Sequence, residues 1–195
     1  MGRFIVLEGG EAVGKSTQAG ILAERLGAVL TREPGGTAIG EALRRLLLDL
    51  PSAAPVPKAE ALLMLAARAQ HVAEVIEPAL ARGHDVVCDR YSGSTLAYQG
   101  YGRGLGIVEL QKLDDWANGH VVPDIIVLLD LPVEVARQRR HGTSPDRIEA
   151  AGDEFLARVQ SGFRRLAESD PQRWHVVDAS GTVDEVAARV WKAVE

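Results

Sequence analysis

The residues best suited to chemistry in this 195-residue chain lie near its start, in Gly9-Gly10-Glu11-Ala12-Val13-Gly14-Lys15-Ser16-Thr17. They match G-x-x-x-x-G-K-[ST] at Gly9, Gly14, Lys15 and Ser16. The apolar run Phe4-Ile5-Val6-Leu7-Glu8 precedes them, and a helical pattern with Ile21, Leu22 and Leu26 apolar follows. Strand, loop and helix thus come in the order a phosphate-binding loop requires. The glycines let successive N–H groups converge on a phosphate chain, and the helix start adds its unsatisfied donors. Lys15 is suited to the outer phosphates and the Ser16 hydroxyl to Mg²⁺.

A phosphate loop by itself does not separate GTPases, ATPases and small-molecule kinases. The N-K-x-D string that reads guanine is missing, and the D-x-x-G match at Asp178 to Gly181 follows the last strand, where it reads as chance. Asp89, at the tip of the strand Asp85-Val86-Val87-Cys88, suits the acidic role near Mg²⁺, and Arg90 beside it suits a second phosphate. The plain alternative for that pair is an exposed salt bridge. Arg137, Arg139, Arg140 and Arg147 cluster around a polar stretch from His141 to Gly152 that reads as a flap. A solvated basic face is the default for such a run, yet a kinase must exclude water and stabilise charge on the transferred group, and an arginine-bearing lid does both. Glu11 is unusual in a loop meant for anions, and a sugar hydroxyl is the ligand that would suit it. Arg68 is placed either to snorkel or to bond a base carbonyl. His71 reads as structural, and the five histidines with one cysteine make no zinc spacing.

Positioning these groups takes an α/β domain, and the length suits one, spanning 1–195 without a linker. Strands are expected at Phe4–Glu8, Ala28–Leu30, Asp85–Cys88, Ile125–Asp130 and Trp174–Val177. Helices are expected at about Ile39–Leu48, Ala59–Arg82 with a kink at Pro78, Val108–Asn118, from Pro132, Asp153–Ser169, and after a capping box at Thr182 and Glu185. Ser92 to Tyr98 is a further helical segment, and Gly100, Gly102, Gly104 and Gly106 read as a flexible connection. Apolar strands alternating with helices mean a parallel sheet covered on both faces. A net charge of -5 argues against nucleic acid or a membrane as main partner, and the single Cys88 implies a reducing compartment. With no signal peptide and no membrane span, a cytoplasmic location is expected.

The strings Thr31-Arg32-Glu33-Pro34-Gly35-Gly36-Thr37, Ala66-Ala67-Arg68-Ala69-Gln70-His71, Asp89-Arg90-Tyr91…Ser94…Ala97-Tyr98-Gln99-Gly100 and Asp146-Arg147-Ile148-Glu149 are more specific than the phosphate loop. Together the chain resembles the thymidylate kinases, which phosphorylate dTMP with ATP. The resemblance implies a five-stranded sheet of order 2-3-1-4-5, a lid at about 141–152, a homodimer, and Mg²⁺ held near Ser16 and Asp89. It implies dTMP contacts from Glu11 (sugar), Arg90 (phosphate), Arg68 and Thr95 (base edge), Met64, Tyr98 and Gln99, with Asp178 to Ser180 near adenine. Catalytic roles fall to Lys15, Arg90, Arg147 and Arg137, with Arg147 the first choice for the transition state. Three positions depart from the family pattern. Met64 stands where a phenylalanine is usual, Gly93 where an aspartate is frequent, and Ala12 where some branches carry an arginine, so that catalysis leans on the lid. Kinases of uridylate or cytidylate, and a nucleotide-gated binding protein, are the competing readings.

Overall fold

The computed structural model describes residues 2–49, 54–139 and 147–195. Among them, five strands form one parallel sheet of order β2-β3-β1-β4-β5, as the sequence resemblance implies. β1 (Phe4–Glu8) is buried throughout and lies between β3 (Val86–Asp89) and β4 (Ile125–Asp130). β2 (Val29–Arg32) and β5 (Trp174–Asp178) form the edges.

Alternate side chains of the central strands point to opposite faces, and each face has its own helices. Ile5, Leu7, Val87, Val127 and Leu129 pack on one side against Ala19, Leu22 and Ala23 of α1 (Lys15–Leu26) and Val186, Val190 and Val194 of the C-terminal helix (Val183–Val194). That last helix begins with the expected capping box of Thr182 and Glu185. On the other side Phe4, Val6 and Cys88 meet Val72, Ile76 and Leu80, while Ile126, Leu128 and Trp174 meet Phe155, Val159 and Phe163. The result is a three-layer sandwich with its strand tips directed at the phosphate loop. No described helix is long and apolar enough to cross a membrane.

Between β2 and β3 lie α2 (Ala38–Leu48), capped by the Thr37 hydroxyl on the Gly40 N–H, and α3 (Pro57–His71). The sequence pattern predicts one helix from Ala59 to Arg82, bent at Pro78. Instead α3 ends at His71, a π-turn spans Val72–Ile76, and α4 covers Glu77–Ala81. Pro78 has no N–H and its ring crowds the carbonyl four residues back. The wider turn, in which the Glu77 N–H reaches the Val72 carbonyl, absorbs that conflict before the proline is reached.

A second π-turn corrects another expectation. After α5 (Ser92–Thr95) the chain continues as Leu96–Gly102, so Gly100 and Gly102 belong to a packed helix rather than to a flexible connection. A Cβ at Gly100 would lie 2.4 Å from Ile107, and one at Gly102 would lie 2.6 Å from Phe155. These glycines are there for close approach. α6 (Ile107–Ala117), α7 (Val133–Arg139) and α8 (Asp153–Ser169) follow, and the Val183–Val194 helix is α9. Pro132 stands just outside α7 and supplies its carbonyl to Ala136, one position earlier than expected. Of the expected lid at about 141–152, residues 141–146 lie outside the described residues, as does Arg140. The remainder is a turn and a short 3₁₀ segment, Glu149–Ala151.

Candidate active site

The phosphate loop joins β1 to α1. Gly9 has φ 140°, and a Cβ there would sit 2.5 Å from the Leu129 carbonyl oxygen, so only glycine fits. Gly14 has φ 95° and immediately precedes α1. Lys15 is buried, with its ammonium donating to the Gly10 carbonyl at 2.5 Å. Burial, and next the like charge of Arg90, lower its pKa from 10.5 to about 8. A cationic group held this way is under-neutralised, and a polyphosphate is the ligand that would relieve it.

Asp89 ends β3 directly across from Ser16. The Ser16 hydroxyl donates to Asp89 Oδ2 at 2.5 Å, and the other oxygen, Oδ1, is buried without a protein partner. The exposed-salt-bridge reading of Asp89 and Arg90 fails here, because Asp89 is buried and Arg90 turns to other groups. An orphaned carboxylate oxygen beside a hydroxyl fits a hard, oxygen-seeking cation such as Mg²⁺.

Arg90 has a left-handed backbone, φ 73°, which costs a non-glycine residue of order 1–3 kcal/mol. Its guanidinium is held from several sides. It donates to the Gly9 carbonyl at 2.9 Å, to Ser94 Oγ at 3.1 Å, and to Glu11 Oε1 at 2.5 Å. Tyr98 donates its hydroxyl to the same Glu11 oxygen at 2.7 Å. Glu11 therefore does not repel an anion, because Arg90 neutralises it within the loop. Burial works against the Arg90 charge, but Glu11 more than compensates and holds the guanidinium protonated. Beneath this set, fully buried Glu8 accepts the N–H groups of Tyr91 and Ser94, each at 3.0 Å, and the Ser94 hydroxyl at 2.6 Å. Burial raises the Glu8 pKa to about 7.

A cavity for a second ligand opens beside Arg90. Its walls include Glu11, Met64, Arg68, Thr95, Tyr98 and Gln99, so the expected nucleoside contacts face one space. Arg68 is 2% exposed, which removes the snorkelling alternative. It is fixed by Glu33 at 2.7 Å and by Asp114, over the ring of Tyr91. Five guanidinium N–H groups exceed what these two acids take up, leaving donors for a ligand. Glu33 also meets His71 Nδ1 at 2.9 Å, and His71 Nε2 meets Thr31 Oγ1 at 2.6 Å, so His71 braces the loop after β2.

The lid arginines separate. Arg137 is exposed, pairs with Asp153 at 2.5 Å, and lines a third cavity together with Gly10, Glu11 and Val13 of the phosphate loop. Arg147 points elsewhere. It donates to the Leu47 carbonyl at 2.8 Å and to Glu60 Oε2 at 2.6 Å, and it is not among the residues lining the phosphate-loop cavity. Arg139 reaches toward the Gly181 carbonyl at 3.4 Å. Asp178 bonds the N–H and hydroxyl of Ser180, closing the turn after β5. Glu8, Glu33, Glu60 and Asp114 escape the sequence reading. Glu8 and Glu33 stand inside the quoted strings without a role of their own, and Glu60 leaves a fainter trace, an acid at helical spacing from Met64 and Arg68 on α3.

The family model described as thymidylate kinase matches residues 7–190. The chain is 50% identical to a thymidylate kinase of Synechococcus sp. (strain JA-2-3B'a(2-13)), covering 98% of this chain and 94% of the relative. It is 49% identical to one from Pelotomaculum thermopropionicum, covering 100% and 93%. The crystal structure of thymidylate kinase from Ehrlichia chaffeensis superposes with a TM-score of 0.83 at 32% identity, covering 100% of this chain and 99% of that one. With a sequence match over nearly its whole length and the same sheet order, the chain belongs to the thymidylate kinase family.

Proposed function

We propose that the protein transfers the γ-phosphoryl group of ATP to the phosphate of dTMP, with Arg90 holding the acceptor phosphate where the two substrates meet. One observation carries this reading: the phosphate-loop cavity and the nucleoside cavity share Glu11, Glu33, Arg44 and Arg90 as common walls. A donor phosphate chain on Lys15 and an acceptor nucleotide reaching toward Arg68 therefore converge on one boundary. There an acceptor phosphate oxygen attacks the γ-phosphorus in line and ADP leaves. Residues Gly9 to Thr17 cradle the ATP phosphates, and Lys15 follows the charge onto the departing β-phosphate. Glu11 and Tyr98 keep Arg90 from swinging away, Glu11 and Tyr98 face the sugar, and Arg68, Thr95, Met64 and Gln99 face the base. Ser16 and Asp89 would hold Mg²⁺, which neutralises phosphate oxygens when bound. Between Arg137 and Arg147, Arg137 is favoured as transition-state donor, because it shares a cavity with Gly10 and Glu11.

A homodimer in the cytoplasm completes the reading. Leu62 on α3 and Val108, Leu113 and Trp116 on α6 are exposed, on helices that pack together, and a second copy would cover them. An ADP-release assay over all nucleoside monophosphates tests the activity. dTMP is expected to give the highest kcat/KM. Equal turnover of UMP or CMP would shift the reading to another monophosphate kinase, and acceptor-independent ATP hydrolysis would point to a nucleotide switch.

A further inference from the structure

Among the described residues, Glu60 is the most enclosed carboxylate outside the phosphate-loop region, at 1% exposure. It lies on α3, one turn before Met64, and gathers three donor side chains, two from the Leu96–Gly102 turn and the residue just after it, and one from Arg147. Gln99 Nε2 donates to Oε1 at 2.9 Å, Arg103 donates to both oxygens at 3.2 Å, and Arg147 Nη2 donates to Oε2 at 2.6 Å. Hydrogen bonds from charged donors to a buried carboxylate are strong and directional. No step of phosphoryl transfer needs Glu60 itself, so so well-satisfied a buried acid has another task.

The geometry around Arg147 identifies that task. Its Nε donates to the Leu47 carbonyl while its Nη2 holds Glu60, tying the end of α2 to α3. The next residue on each strand of that tie, Leu48 after Leu47 and Ile148 after Arg147, is a wall of the nucleoside cavity. Gln99, fixed by the same carboxylate, is a third wall. Ile148 is 6% exposed and packs in the cluster that contains Tyr98.

We propose that Glu60 and Arg147 are positioning residues that build the acceptor pocket, by seating the turn at Arg147 and Ile148 on α2 and α3. Arg147 then works on dTMP binding through Leu48 and Ile148, and not on the transferred phosphoryl group. This rests on the dTMP-kinase reading above, and the wild-type acceptor assay tests that reading separately from the variants below.

The test is a double-mutant cycle on steady-state kinetics with Glu60→Gln, Arg147→Met and the pair, each checked by thermal unfolding. Each single change is expected to raise the KM for dTMP about tenfold, the equivalent of one lost charged hydrogen bond, with kcat within a few-fold of wild type. The pair is expected to be no worse than either single variant, because each removes the same tie. Arg103→Met removes the other ion pair of Glu60 without touching a cavity wall, and leaves the KM for dTMP unchanged. Should Glu60→Gln not fold, Arg147→Met and Arg147→Lys still decide. Lysine cannot bridge Leu47 and Glu60 together, so it restores the KM only in part. A steep loss of kcat in Arg147→Met at unchanged KM overturns the proposal in favour of a transition-state role. Unchanged KM values, or additive effects in the cycle, overturn it as well.

Discussion

The Ser16 hydroxyl lies 2.5 Å from one oxygen of Asp89, while the other oxygen of the same carboxylate is buried with no protein partner. These residues are 73 apart in sequence, and the pairing joins the start of α1 to the tip of β3. The expected consequence of Asp89→Asn is a rise of about 10–100-fold in the Mg²⁺ concentration needed for half-maximal activity, as for other residues that orient a metal site. A Mg²⁺ titration at saturating ATP and dTMP checks it. An unchanged midpoint in a folded variant contradicts the assignment.

Lys15 carries a pKa lowered to about 8 in the ligand-free protein, first by burial and then by Arg90. A polyphosphate favours the charged form and pushes the pKa back up. Above pH 8 the free protein has released the proton that the complex retains, so ATP binding takes up protons and weakens as pH rises. Calorimetry of ATP binding in buffers of different ionisation heat measures the uptake. Lys15→Met removes it, and a wild-type heat independent of buffer would refute the shift.

Arg137, on α7, shares a cavity with Gly10, Glu11 and Val13 of the phosphate loop. Arg137→Ala is expected to lower kcat by on the order of 10³-fold, with the KM for dTMP nearly unchanged, the pattern of an interaction made in the transition state. Asp153, its present partner, is exposed and easily surrendered. Steady-state kinetics with kcat within a few-fold of wild type would exclude the role.

Glu8 titrates near pH 7 because burial disfavours its charge. Between pH 4.5 and about 7 the folded protein keeps a proton that the unfolded chain has given up, so stability falls as pH rises across that window. The isosteric Glu8→Gln variant lacks this slope. The difference in unfolding free energy between the two proteins is expected to change by about 3 kcal/mol across the window, read from denaturant melts at a series of pH values. Parallel curves would show that Glu8 does not titrate there.

Gly93 stands against Trp174 and Glu8, and a Cβ there would lie 2.7 Å from the indole and 2.8 Å from Glu8 Oε1. Gly93→Asp is therefore expected to destabilise by more than Gly93→Ala, which itself costs about 1–3 kcal/mol by overpacking. An aspartate adds a second carboxylate beside Glu8. Thermal melts of both variants order the effects, and an aspartate variant as stable as wild type would contradict the close approach.

The groups legible in the sequence are those whose signal is local. Gly9 to Thr17 and Asp89-Arg90 advertise themselves through spacing and a strand tip, and β1 and β4 through continuous apolar runs. Glu60, Glu33 and Asp114 act through partners 87, 35 and 46 residues away, and no window of neighbouring residues reveals such pairs. The partners of Arg147 are hidden for the same reason: its place beside a polar stretch suggests a lid, while nothing nearby in sequence points to Leu47 or Glu60. The π-turns are equally hidden, since one added residue barely disturbs an apolar stripe.

Leu96–Gly102 carries one more consequence for how this pocket can change. A π-turn contains one residue more than an α-helix needs for the same hydrogen-bonded path, and it lies between Thr95 and Arg103. Removing any single residue from it would restore regular bonding, but would rotate the two flanks by about 100° relative to each other. Tyr98 or Gln99 would then leave the cavity that both now line. Apart from Gly100 and Gly102, which close approach holds to glycine, side chains here can be exchanged singly, while the number of residues cannot change. An insertion or a deletion anywhere in this turn would cost the pocket its acceptor, whichever residue is involved.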